Sequence, residues 1–400
     1  MRQLGLLPAT LAHFELDIGQ LTNLRRIGDK AGGSKDVSEA GGLYVNREGR
    51  TLLLKQSSQP EQDMAEWING MTNRSFIPDG VQVVPLRHDG QTYLASLFIE
   101  GAVDLYRHAY EAAGKTPPKD RPRVHLGNRE ATALVDAAFR ECGDKGLAPL
   151  LAMALLMGNM DVHSGNFMVR RDERGNVERV CAIDLGWGSR NPRFLGKQIG
   201  DHFGAQVHPN SHSRRLPMVG PTNHHVDIPP ELRRSPAYID EVLKVAEHEF
   251  EPAIRAAFRQ AAEHWGPEVF QAFSKSAGLD SPRGSGASRR SVEQAYVQRF
   301  SERQASMCRY AADLAVGLAH VERPGAHSKT ERLVLDTEPD GTIAVDRYLA
   351  HPAMRSLIEQ FVAGDSDGPK QRNHALDAHG DALRAALTQR LAACPLKDQR

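Results

Sequence analysis

Between Leu147 and Met157 the chain is almost wholly apolar, and it then enters a polar loop, Gly158-Asn159-Met160-Asp161-Val162-His163-Ser164-Gly165-Asn166, followed by two short β-prone runs. No other stretch constrains the fold as tightly. A segment apolar on every side reads as a buried helix. Phe167-Met168-Val169 and Val180-Cys181-Ala182-Ile183 flank the turn residues Asp172-Glu173-Arg174-Gly175-Asn176, which predicts a hairpin beside that helix. Folding the hairpin brings Asp161, His163 and Asn166, ahead of its first strand, to Asp184, which follows its second. A carboxylate, an amide and a second carboxylate are hard oxygen donors, suited to hold Mg²⁺ and an attacking hydroxyl against a nucleotide phosphate. The plainer reading, in which Asp161 and Asn166 make side-chain turns, accounts for the first motif alone. It does not account for a second acid at the same place.

Upstream, residues 22–56 alternate β-prone runs with glycine-rich turns, giving predicted strands at Leu24 to Ile27, Gly42 to Val45 and Thr51 to Lys55. Ser58 caps a predicted helix with Pro60 in its first turn, along which Met64, Trp67, Ile68 and Met71 recur at helical spacing. Val81 to Pro85 and Gln91 to Ile99 complete a five-stranded antiparallel sheet carrying one helix. Lys55 ends an apolar strand, so an acid on the following helix is its natural partner. Glu66 is the first choice, with Glu61 and Asp63 as rivals of uncertain helical phase. Gly32, Gly33 and Ser34 lie between the first two strands, where backbone N–H groups can approach a phosphate without a Cβ in the way. An ordinary hairpin turn has the same composition.

Lys plus Arg equals Asp plus Glu at 50 each over 400 residues, so no global attraction to nucleic acid or an anionic membrane is expected. No window approaches the roughly 18 apolar residues of a spanning helix. The first residues, Met1 to Pro8, are too short and too soon polar for a signal peptide, so a cytoplasmic protein is expected. Cys142, Cys181, Cys308 and Cys394 are widely spaced, which predicts reduced thiols.

Beyond Glu100 the pattern turns helical, with helices predicted at Asn128 to Cys142, Leu147 to Met157, Tyr238 to His264, Pro267 to Ser276, Val292 to Glu322, Arg347 to Val362 and Asn373 to Ala392. Gly278 to Ser291 reads as a flexible linker and Trp187 to Pro230 as a long loop. Gly114-Lys115-Thr116 ends like a phosphate-binding loop, but Ala109 stands where that motif needs glycine and Pro117-Pro118 forbids the helix that should follow. The histidines His202, His208, His212, His224 and His225 have no zinc-ligand spacing. The expected class is α+β.

Asp-x-His-x-x-Asn-Phe at Asp161 to Phe167, followed by Ile-Asp-Leu-Gly at Ile183 to Gly186, resembles the catalytic and metal-binding loops of the protein-kinase-like superfamily. The Asp-x-His order is similar to its atypical branch, the phosphatidylinositol 3-/4-kinases and HipA-like kinases. The Gly-Gly-x-Tyr run at Gly41 to Tyr44 resembles bacterial secreted effector kinases. The likeness covers about residues 22–205. It implies a two-lobed kinase-like fold: an N-terminal segment (1–21), a small antiparallel N-lobe with one helix (22–100), a mainly helical C-lobe (101–235) and a helical C-terminal extension (236–400). It implies ATP and Mg²⁺ as cofactors. Asp161 would orient or deprotonate the acceptor hydroxyl, and Asn166 and Asp184 would ligate Mg²⁺. Lys55, held by Glu66, would bind the α- and β-phosphates. His163 would lie near the transferring phosphoryl group, or else is a loop histidine bonded to backbone. Phe98, Ile99 and Glu100 would form the hinge that meets adenine. The implied acceptor is a protein or a phosphoinositide, and the effector likeness implies a host-cell activator or target and, as the alternative to a cytoplasmic location, secretion into a host cell without a classical signal peptide. The stretch departs from the family in lacking an Ala-Pro-Glu platform and in placing Leu185 where protein kinases have phenylalanine. A kinase-like nucleotide-binding scaffold and an AMP transferase on the same fold are the alternatives.

Overall fold

A computed structural model describes residues 24–29, 41–78, 80, 81, 83–88, 91–97, 99, 101–117, 129–159, 162–189, 235–279, 288–315, 348–363, 385 and 387–393. The fold is α+β. Strands β1 (Arg25–Gly28), β2 (Gly42–Val45), β3 (Thr51–Lys55), β4 (Val83–His88) and β5 (Gln91–Leu97) form an antiparallel sheet in the order β1-β2-β3-β5-β4. Helix α1 (Pro60–Phe76) connects β3 to β4. It starts at Gln59 rather than at a Ser58 cap, with Pro60 in the first turn. The Asp63 carboxylate accepts the Ser57 N–H at 3.0 Å and so ties the segment before the helix to its first turn.

Alternation along β3 decides where Lys55 points. Leu52 and Leu54 are buried on one face, in a cluster with Tyr44, Leu86, Tyr93 and Ala95. Lys55, one residue on, emerges on the opposite face, where α1 packs. Its register partner Leu94 belongs to the main core with Met64, Trp67 and Ile68 of α1.

After β5, the turn at Gly101 (φ +72°) leads into β6 (Ala102–Asp104) and α2 (Leu105–Ala112), two short elements that the sequence pattern did not reveal. Helices α3 (Arg129–Cys142) and α4 (Ala148–Met157) are joined by a kink at Gly143–Leu147, where Gly146 takes a positive φ (95°). Strand β7 (Phe167–Arg171) pairs with β6 on one side and β8 (Val177–Ala182) on the other, so the predicted hairpin becomes the larger part of a second, three-stranded antiparallel sheet.

Further helices among the described residues are α5 (Pro236–Glu247), α6 (Glu251–His264), α7 (Pro267–Ala277), α8 (Arg289–Ala315) and α9 (Pro352–Ala363), and residues 387–393 are helical as well. The single helix predicted over Tyr238 to His264 is thus two. Pro252 has no N–H to give to the carbonyl of His248, and His248 turns extended (ψ 144°), so a new helix opens with Pro252 in its first turn. The linker expected to reach Ser291 ends sooner, because Ser288 caps α8 through the Ser291 N–H at 3.1 Å. These helices share one hydrophobic core with α1 and α4. The Trp67 indole N–H donates to the Ala257 carbonyl at 3.0 Å, and the Thr92 hydroxyl to that of His264 at 2.8 Å. Cys142, Cys181 and Cys308 are free thiols. Among the described residues no helix is long and apolar enough to cross a membrane.

Candidate active site

The Lys55 ammonium lies 2.6 Å from Glu66 Oε1 and 3.0 Å from Asp184 Oδ1. These groups come from the end of β3, the second turn of α1 and the residue pair after β8. Of the three acids weighed for Lys55, Glu66 is the one in contact, while Asp63 faces back to Ser57. Burial on its own disfavours the charged lysine. The charges of Asp184 and Glu66, and their hydrogen bonds, outweigh it and raise the Lys55 pKa above its ordinary value. The Glu66 carboxylate is 5% exposed and that of Asp184 41%, so the cluster has one dry side and one that opens to solvent.

Asp184 itself is held in a left-handed backbone conformation (φ 59°, ψ 54°), unusual for a residue with a Cβ and worth of the order of 1 kcal/mol of strain. The chain reverses there into a 3₁₀ turn, Leu185–Trp187, that rests on α1. A Cβ at Gly186 would meet the Gln62 carbonyl oxygen at 3.2 Å and the Glu66 Cβ at 3.4 Å, so a side chain there would crowd the turn against the helix. Leu185 is buried in the main core, where the apolar contact needs bulk but no aromatic ring.

Asn166 closes a 3₁₀ turn, Ser164–Asn166, immediately before β7. Its carbonyl accepts the Ile183 N–H at 2.9 Å, which pins it beside the residue that precedes Asp184. Asn166 is therefore brought next to the Asp184 turn, an amide and a carboxylate at one end of the hairpin. Their oxygens are a hard donor set of the kind Mg²⁺ takes, one or two protein ligands with the rest from water and phosphate. Among the described residues no group of three or more His, Cys, Asp or Glu forms a metal cluster. His163 is buried, and its Nδ1 accepts the Gly165 N–H at 3.1 Å, which leaves the ring proton of the neutral form on Nε2. Its backbone-bonded reading thus describes Nδ1. Ile99 follows β5 and accepts the Ala102 N–H at 3.2 Å, in the turn that ends the first sheet. Asp161, Gly32, Gly33, Ser34, Phe98 and Glu100 lie outside the described residues, as do the histidines from 202 to 225.

Sequence reasoning missed the polar clamp behind this turn. Asn69, one turn beyond Glu66 on α1, donates to the Leu185 carbonyl at 3.0 Å. Its Oδ1 accepts from the Ser189 hydroxyl at 3.1 Å and from the Tyr296 hydroxyl at 3.2 Å. Ser189 and Tyr296 are themselves 2.8 Å apart. Ser189 is also at positive φ (66°), and a Cβ at Gly188 would come within 2.6 Å of Asn69 Nδ2. Helix α8, 107 residues beyond Ser189 and 227 beyond Asn69 in sequence, thus fixes the segment after Asp184 to α1. Arg303, on the same helix α8, is almost fully buried and places Nε and Nη2 at 3.1 and 2.7 Å from the Leu155 carbonyl, at the C-terminal end of α4. A cation there also meets the negative end of the helix dipole. Nothing in the local sequence marks Ser189 or Tyr296 for this role, and Asn69 alone left a cue. The signal available was the polar residue inside an apolar helix face.

Residues 136–198 match the model of the LepB N-terminal domain family, a stretch that includes Asp161, His163, Asn166 and Asp184. No curated protein matches the chain. Among solved structures, the proinflammatory kinase CtkA of Helicobacter pylori aligns at 12% identity over 72% of this chain and 99% of its own, with a TM-score of 0.38. HipA of Shewanella oneidensis, solved with HipB and operator DNA, aligns at 12% identity over 71% of this chain and 68% of its own, with a TM-score of 0.34. The N-terminal fragment of LepB from Legionella pneumophila aligns at 13% identity over 66% of this chain, with a TM-score of 0.31, and the alignment spans 46% of that fragment.

Proposed function

We propose that this protein is an ATP- and Mg²⁺-dependent phosphotransferase of protein-kinase-like, two-lobed arrangement. Residues 22–100 form the smaller lobe, 101–235 the larger, and 236–400 a helical extension, after an N-terminal segment of residues 1–21. The observation that carries the reading is the Lys55 ammonium held at 2.6 Å by Glu66 and 3.0 Å by Asp184. A lysine fixed by a helix acid and shared with a carboxylate after a hairpin is what the α- and β-phosphates of a nucleotide require, since each needs a cation already oriented.

In this reading Lys55 donates to the phosphate oxygens, and Glu66 keeps it aimed. Asn166 and Asp184 hold Mg²⁺, which when bound neutralises charge on the β- and γ-phosphates. Asp161 accepts the proton of the acceptor hydroxyl as its oxygen bonds to the γ-phosphorus. The bond from that phosphorus to the β-phosphate oxygen breaks, and ADP departs with the electron pair. His163 lies near the transferring phosphoryl group. The backbone N–H groups of Gly32, Gly33 and Ser34 would approach the phosphates, and the segment Phe98-Ile99-Glu100 would meet adenine through its backbone. The acceptor is a hydroxyl of a protein or a phosphoinositide, and the natural setting is that of a bacterial effector acting on a host-cell target.

The test is incubation of the full chain with γ-labelled ATP, Mg²⁺, a panel of phosphoinositides and cell lysate, alongside Asp161→Ala. Label should move to an acceptor and fall about a hundredfold or more in the variant, as loss of a positioned base does. Intact-mass measurement of the product distinguishes a phosphate from an AMP adduct. Thermal stabilisation by nucleotide with no transfer to any acceptor would make the protein a binding scaffold and end the phosphotransfer reading.

A further inference from the structure

A second site lies in the helical half, apart from every residue discussed above for phosphate transfer. Helix α6, the start of α8 and Phe270 of α7 line a half-open cavity of about 560 Å³. Four arginines line it: Arg255 and Arg259, one turn apart on α6, and Arg289 and Arg290, which open α8. The acid in its wall, Glu293, is already held by Arg255 Nη1 at 2.7 Å, while Arg255 Nε meets Glu251 at 2.8 Å. Arg289 lies over the Phe270 ring, 5.5 Å from its centroid, and donates to the Trp265 carbonyl at 3.3 Å. Arg259 and Arg290 are exposed and make no ion pair among the described residues.

Three guanidinium groups without a carboxylate therefore converge on one concavity, in a chain whose charges sum to zero. Like charges gathered in a concave surface focus a positive potential and attract an anion. The N-terminal end of α8 adds its dipole in the same sense. All four cations are arginine, whose planar fork matches phosphate oxygens in pairs where a lysine would offer a point charge. The volume falls in the range of small-molecule sites, roughly 300–1,000 Å³, and Phe258 and Phe270 supply the apolar floor such sites share. A single carboxylate would occupy one fork and leave two uncompensated.

We propose that this cavity binds a compact polyanion carrying two or more phosphate groups, either free or as the headgroup of a lipid. Binding does not depend on phosphotransfer at Lys55. The probes are inositol trisphosphate, followed by calorimetry on the full chain, and phosphatidylcholine vesicles doped with phosphatidylinositol bisphosphate, followed by flotation. Vesicles of equal charge made with phosphatidylserine are the reference. Saturable binding is expected to one probe or both, weakening with salt and falling at least tenfold in the double variant Arg259→Gln/Arg290→Gln. Both side chains are exposed, so the variant should melt as the parent does. Lys55→Met should bind the probe as the parent does. Calorimetric binding without flotation assigns a soluble ligand, and flotation above the phosphatidylserine reference assigns a headgroup. Absence of saturable binding to either probe, equal binding by the double variant, or loss of binding in Lys55→Met would overturn the proposal.

Discussion

A lysine ammonium carries three N–H donors, and in this protein two of them meet carboxylates from elements far apart in sequence, Glu66 on α1 and Asp184 after β8. The strength of that arrangement is orientation more than stability, because burying the charges offsets much of their attraction. Glu66→Gln should therefore raise the KM for ATP and lower kcat/KM by about tenfold or more, with a stability loss of no more than about 1–3 kcal/mol, since Asp184 still pairs with the ammonium. Steady-state kinetics beside a thermal melt of the variant checks both. A large melt shift with unchanged kinetics would make the pair a structural one. Lys55 and Asp184 were legible in the sequence because each sits where a pattern ends: Lys55 after a run of three leucines, Asp184 after the second strand of a hairpin. The left-handed backbone of Asp184 and the glycine that lets its turn touch α1 were not legible, because both answer to a neighbour brought in by the fold.

At the scale of elements, the segment from Asp184 to Ser189 is held between α1 and α8 by Asn69, Ser189 and Tyr296. Tyr296→Phe removes a hydroxyl from a buried network and leaves two polar partners to re-pair, which should destabilise by about 1–3 kcal/mol. If the clamp positions Asp184, phosphate transfer should fall by more than the melt shift accounts for at the assay temperature. Activity unchanged beside a lower Tm would confine Tyr296 to packing. Helix periodicity predicted the helix that became α8, whose Val292, Tyr296, Phe300 and Met307 are all buried. It could not reveal that Tyr296 uses its hydroxyl, or that Arg303 is buried on the same helix against the end of α4. The break between α5 and α6 was overlooked for a local reason: the apolar pattern continues across it, and Pro252 alone reports it.

Across the whole molecule, the helices beyond Pro236 are part of the core that supports the candidate site, through Trp67 on Ala257 and Thr92 on His264. Contacts separated by more than 150 residues leave no periodic trace in sequence, which is why this half read only as helices. Two histidines on this seam give it a pH dependence. Burial holds His248 and His264 below the ordinary histidine pKa, the charge of Arg87 adding to the effect at His264. The unfolded chain then binds protons at a higher pH than the folded one, so stability is full above about pH 6.5 and declines as the pH falls below it. Melts taken down to about pH 5.5 should show a falling Tm, with a shallower fall for His264→Gln. A Tm independent of pH in that interval would remove the histidines from the account. The central claim, that Lys55, Glu66 and Asp184 together form a phosphate-transfer centre, is tested most directly by γ-phosphate transfer from labelled ATP in the parent and in Asp184→Asn, which keeps the shape of the side chain and removes its charge. The account predicts transfer by the parent and a loss of about a hundredfold or more in the variant with its fold intact. Equal transfer by the two proteins would contradict it.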